Sequence, residues 1–129
     1  MELNKQVCSL ELAKQLKELR VEQESFWYWG YYEPARRWDI IDSGEAENWD
    51  YPRGVFSAFT VAELGEMLPA GYISVSKILI VNTPIISGTS RFRVKYIKDD
   101  NENYEEDDTE ADARAKMLIY LIKEKLIKL

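Results

Sequence analysis

The chain has 129 residues, 46% apolar and 31% charged, with a net charge of −6 and no histidine. A chain of this size is one domain, 1–129, able to bury about two thirds of its unfolded surface without staples. The missing histidine removes Ser-His and Cys-His nucleophile activation and every His-ligated zinc site, and the single cysteine, Cys8, excludes an internal disulfide and a CxxC redox pair.

The first expected element is a helix over about Ser9–Leu19. Ser9 is its N-cap, Glu11 lies in the first turn, and Leu12, Leu16 and Leu19 form one apolar stripe. Residues 26–32, Phe-Trp-Tyr-Trp-Gly-Tyr-Tyr, contain six aromatics in seven positions. Aromatic side chains fit a pleated surface, so this run reads as a strand. Alternation places Phe26, Tyr28 and Tyr32 on one face and Trp27, Trp29 and Tyr31 on the other. One face can enter a core, and the other must be covered or must bind something.

Arg36 to Ile41 is expected to return as the second strand of a hairpin across Glu33-Pro34-Ala35, and residues 42–48 as a polar loop. Trp38 and Trp49 flank that loop, where they either line a ligand groove or cover the core edge. Thr60-Val61-Ala62-Glu63 is a capping box, with Phe59 and Leu64 as its hydrophobic staple, so a short helix runs over about 61–68 until Pro69 stops it.

Tyr72 to Val81 reads as a strand and Asn82 to Ser90 as a connecting loop. Arg91 to Lys98 alternates, with Phe92, Val94 and Tyr96 facing inward and Arg91, Arg93 and Lys95 forming a wet basic face. Residues 99–112 carry nine acids and no base, and read as a solvated turn. A last helix starts at Thr109, with Ala111, Ala115, Leu118, Ile122 and Leu126 as its inner stripe and Glu110–Arg114 and Asp112–Lys116 as i,i+4 pairs. The fold class is α+β: an antiparallel sheet of three to five strands packed against an N-terminal and a C-terminal helix.

Three blocks carry a resemblance. They are 9–14 through 24–29 (Ser-Leu-Glu-Leu-Ala-Lys to Glu-Ser-Phe-Trp-Tyr-Trp), 58–69 (Ala-Phe-Thr-Val-Ala-Glu-Leu-Gly-Glu-Met-Leu-Pro) and 110–122 (Glu-Ala-Asp-Ala-Arg-Ala-Lys-Met-Leu-Ile-Tyr-Leu-Ile). Together they resemble a family of small proteins carried by bacteriophages, prophages and related mobile elements, for which no activity is assigned. The resemblance implies a mobile-element protein in a bacterial host and supplies no functional residues. One departure is Arg20, where the family's first helix usually ends in glycine.

The chain lacks GxxxxGK[ST], GxGxxG and GxSxG. Asp99, Asn101, Asn103, Glu105, Asp107 and Glu110 fall at calcium-loop positions, but Tyr104 stands where the loop needs glycine, and a strand precedes the segment. Asp39, Asp42, Glu45 and Asp50, near Trp38 and Trp49, are the carboxylates available for acid–base chemistry, and no spacing fixes a pair among them.

The expectation is therefore a non-enzymatic protein-interaction module with no metal and no cofactor. Its surface is Trp27, Trp29 and Tyr31, and its partner is a second copy (a homodimer) or a host or phage protein. One alternative is single-stranded nucleic acid held by Arg91, Arg93 and Lys95, and another is an acidic inhibitor that mimics DNA. No apolar run approaches about 18 residues and the N-terminal residues lack a signal-peptide pattern, so no membrane segment and a cytoplasmic location are expected.

Overall fold

The computed structural model describes residues 2–69, 73–77, 92–98 and 101–127. A short helix, α1 (Leu3–Gln6), precedes α2 (Leu10–Glu18). Ser9 caps α2, its hydroxyl accepting the Leu12 N–H at 3.5 Å, and Leu12, Ala13 and Leu16 are buried. The helix stops at Arg20, which takes the left-handed conformation (φ 66°) while the Val21 N–H donates to the Leu16 carbonyl at 3.1 Å. This is the Schellman arrangement that glycine usually closes.

The first sheet is antiparallel and has the order β2-β1-β3, from β1 (Trp27–Tyr32), β2 (Arg37–Asp42) and β3 (Val55–Ser57). A 3₁₀ turn over Glu33–Ala35 joins β1 to β2 in the expected hairpin, with Trp27 opposite Asp42 and Tyr32 opposite Arg37. Residues 43–48, expected as part of a polar loop, instead form α3 (Ser43–Asn48), because the Asp42 carboxylate accepts the Glu45 N–H at 2.8 Å and starts a helical turn. After β3 comes α4 (Val61–Met67), whose capping box is formed as expected: Glu63 N–H to Thr60 Oγ1 at 3.2 Å and Thr60 N–H to Glu63 Oε1 at 2.9 Å. The staple residues Phe59 and Leu64 are both fully buried.

The second sheet, β4-β5-β6, is also antiparallel, from β4 (Ile73–Lys77), β5 (Phe92–Lys98) and β6 (Asn101–Asp107). The remainder of the 72–81 strand and the 82–90 loop lie outside the described residues. The acidic segment, expected as a turn, is largely the strand β6. Its carboxylates are carried by cations on the elements beside it. Arg93 donates to Glu106 at 2.7 Å, Lys95 pairs with Glu102 at 3.5 Å, and Lys116 pairs with Asp107 at 2.7 Å.

The last helix, α5 (Glu110–Lys123), is capped by Thr109, which accepts the Asp112 N–H at 3.2 Å. Its buried set is wider than one stripe: Ala111, Ala113, Ala115, Met117, Leu118, Ile119 and Leu121. It meets β5, β6, α4 and α2, and the core joins Leu16, Phe59, Leu64, Val94, Met117, Leu118 and Leu121. Glu110 and Arg114 approach to 3.3 Å as expected. Asp112 does not pair with Lys116; it accepts the Ser9 N–H at 2.7 Å, which ties the start of α5 to the start of α2. Among the described residues no helix is long and apolar enough to cross a membrane.

Arg20→Gly removes the left-handed penalty of about 1–2 kcal/mol and adds glycine's entropic cost of about 0.5–1 kcal/mol. A net gain of about 0.5–1 kcal/mol is expected, read as a higher urea midpoint. Burial raises the carboxyls of both Asp112 and Glu105 above their ordinary values of 3.8 and 4.5. A carboxyl raised in the folded state binds its proton there first, so its contribution to stability grows as pH falls toward about 4 and is lost as pH rises through the raised value. Relative to an Asp112→Asn/Glu105→Gln variant, the native chain should therefore gain stability on acidification from pH 7 to about 4.5, measured by urea unfolding at each pH.

Candidate functional site: an aromatic groove on the first sheet

Alternation along β1 and β2 puts Tyr28, Gly30 and Tyr32 on the same outer face as Asp39 and Ile41. Gly30 is the gap in this face. A Cβ there would lie 2.9 Å from Ile41 Cδ1 and 3.1 Å from Tyr51 Cε1. The missing side chain is what lets Tyr51 lie across the strand, and a strand glycine often marks such a close approach. Above it opens a groove of about 580 Å³, bordered by Tyr32, Trp49 and Tyr51 and by the acids Glu33, Asp39, Glu45 and Asp50. Trp49 is 69% exposed and Tyr32 50%, although both are large aromatic side chains.

The charge in the groove is negative. Burial raises the Tyr51 hydroxyl above its ordinary value, with Glu45, Asp39 and Asp42 adding to the effect, so the phenol stays neutral. Arg37 holds Asp39 at 2.9 Å and Arg53 approaches Glu33 at 3.5 Å; Asp39 is half-buried and the other three side chains are largely solvated. Arg53 also lies over the Tyr31 ring, 4.0 Å from its centroid. Glu45 and Asp50 form no ion pair among the described residues.

Alternation sets the expected surface residues Trp27, Trp29 and Tyr31 on the opposite face of β1, and all three are half-buried; Tyr31, beside the hairpin turn, also borders the groove at its rim. Trp29 packs against the core and donates its indole N–H to the Cys8 carbonyl at 3.0 Å. Tyr31 meets Trp38 edge-on at 5.5 Å, and Trp38 meets Phe56 at 5.8 Å. Two lysines of α2 cover this ladder, Lys14 at 5.0 Å from the Trp38 ring and Lys17 at 4.8 Å from Phe56. Helix α2 therefore covers Trp38 and Phe56 on the face that the sequence alone left open for a partner. Of the two tryptophans flanking residues 42–48, Trp49 borders the groove and Trp38 lies on the inner face.

Three of the four carboxylates singled out for acid–base chemistry, Asp39, Glu45 and Asp50, border the groove, whereas Asp42 caps α3. Burial pushes the Cys8 thiol up to about 12, so it carries no thiolate at neutral pH. On the second sheet, Arg93 and Lys95 are engaged by Glu106 and Glu102, and the Arg93 guanidinium stacks 4.5 Å from the Tyr104 ring centroid. Arg91 lies outside the described residues, as does Asp99. Glu105 and Asp107 alternate with Glu102, Tyr104 and Glu106 along an extended strand, and Lys116 sits against the first pair. Extended geometry cannot wrap these residues around one cation as a calcium loop does.

Tyr32, Tyr51 and Gly30 border the groove without having been among the residues expected there. A readable signal existed: Gly30 shares its parity with Tyr28 and Tyr32, so it opens a hole on that face alone. No family model, curated protein or solved structure matches the chain.

Gly30→Ala should lower stability by about 1–3 kcal/mol, the range for overpacking a filled site, because both Ile41 and Tyr51 must move. A guanidinium unfolding curve measures it, and an unchanged midpoint would show that the tight approach has no energetic weight.

Proposed function

We propose that this chain is a non-enzymatic protein-interaction module of a phage or related mobile element, and that it docks its partner in the groove on the outer face of the first sheet. The observation that carries this reading is the open, aromatic-walled groove. Trp49 and Tyr32 stay exposed there while the other face of the same strand is packed. Exposed aromatics beside an open cavity are what binding surfaces use for contact area. A binding rather than catalytic role is supported by the burial of the single thiol: Cys8 is enclosed and protonated, away from the groove. A protein rather than a nucleic-acid partner is supported by the ion pairs that engage Arg93 and Lys95. The mobile-element origin rests on the resemblance of the three sequence blocks.

The test compares capture from a bacterial lysate by the native chain, a Tyr32→Ser/Trp49→Ser variant and a Tyr104→Ser control. All three altered side chains are solvent-exposed, so folding should be kept, as circular dichroism can verify. A stoichiometric partner retained by the native chain and the control, and lost by the groove variant, is the expected result. Equal capture by all three, or none by any, would overturn the reading.

A further inference from the structure

The identity of the groove's occupant follows from what lines it, given that the groove is the docking surface. Its walls combine aromatic faces (Tyr32, Trp49 and Tyr51) with carboxylates, a pairing that suits one class of chemistry. Apolar ligands would leave the acids desolvated without partners, at considerable cost. Anions would be repelled. A cation satisfies both components, because an ammonium or guanidinium is attracted to an aromatic face and to a carboxylate together.

The molecule already uses this chemistry at the groove's rim. Arg53 sits over Tyr31 at 4.0 Å from the ring centroid while approaching Glu33 at 3.5 Å. Along the groove the same combination recurs without a cation: Tyr51 and the exposed Trp49 stand beside the exposed carboxylates of Glu45 and Asp50, which have no ion pair among the described residues. The negative potential reaches the ring itself, since Glu45, Asp39 and Asp42 all help to hold the Tyr51 proton. A groove of about 580 Å³ has room for a long side chain together with the backbone that carries it.

We propose that the groove binds a basic peptide segment of the partner protein, seating an arginine or lysine side chain between the Trp49 and Tyr51 rings and the Glu45 and Asp50 carboxylates. The cation stays charged throughout, and no bond is made or broken. Two recognition elements act together: the rings set the geometry of the inserted side chain, and the acids set its charge.

The experiment titrates the full chain with an acetylated, amidated Gly-Arg-Gly-Arg-Gly peptide and with the same peptide carrying citrulline, which keeps the shape and lacks the charge. Binding is followed by calorimetry and by tryptophan fluorescence at several salt concentrations. The expected result is saturable 1:1 binding of the arginine peptide, about tenfold weaker for Trp49→Ser and for Glu45→Gln/Asp50→Asn, and unchanged for a Glu102→Gln/Glu106→Gln control on β6. Equal weakening by the β6 control would overturn the proposal, because it would reduce the effect to attraction by a chain of net charge −6. Equal binding of the citrulline peptide would overturn the charge assignment. So would a concentration-dependent dimer lost on Lys123→Gln/Lys125→Gln, which would identify the occupant as the C-terminal end of a second copy. If no peptide binds while the groove variant still loses its lysate partner, the ligand class fails and the docking surface stands. If no peptide binds and the groove variant captures its lysate partner as well as the native chain does, the docking reading fails with it.

Discussion

A helix that is apolar on one stripe can rest against a sheet, but α5 buries residues over most of its circumference, including the adjacent pairs Met117–Leu118 and Leu118–Ile119. Such a helix has to be enclosed. The rest of the architecture is the enclosure: β5 and β6 lie along one flank, and α4 and α2 close the others. Four small residues, Ala111, Ala113, Ala115 and Gly65, permit close approach around its first half. The bond from the Ser9 N–H to Asp112 fixes the register of α2 on it. With α2 fixed there, its lysines lie over Trp38 and Phe56 and Cys8, just before it, receives the Trp29 indole, all on the face of the first sheet opposite the groove.

This order of dependence explains what could be read from the sequence. The helices at Ser9, Thr60 and Thr109 announced themselves by local capping chemistry, and all three caps are formed. Strands β1 and β5 announced themselves by composition and alternation, and β2 by its place after the Glu33-Pro34-Ala35 turn. Period-two alternation states which residues share a face, and it carries no sign for inside or outside. That sign depends on α2, some ten residues upstream in sequence and placed by contacts with the far end of the chain. The inward turn of the Trp29 face is therefore not encoded locally, whereas Gly30, by its parity with Tyr28 and Tyr32, marks the side on which the groove lies.

Two segments escaped for a different reason. Strand β6 is rich in Asn, Glu and Asp, residues depleted in sheets, and its propensity argues for a turn. Cross-strand pairing with a basic neighbour overrides that preference: Arg93 opposes Glu106 directly, and Lys95 reaches Glu102 on the diagonal. Nine acids in fourteen residues are thus partly the counterpart of the basic face before them. Helix α3 has six residues and no apolar stripe, so periodicity has nothing to detect; it forms from a single Asp42 cap and leaves Trp49 poised over the sheet.

Cys8 lies where the two halves of the molecule meet. Its N–H donates to the Phe59 carbonyl, its own carbonyl receives Trp29, and its sulfur is 3.9 Å from the Ser57 carbonyl oxygen. No part of the residue touches solvent. A thiol reagent can therefore meet this sulfur only during those moments when the seam between α2, β1 and β3 parts. The chain carries, as its sole cysteine, an internal clock for breathing: the rate of its alkylation counts openings of that seam and is indifferent to fluctuations elsewhere.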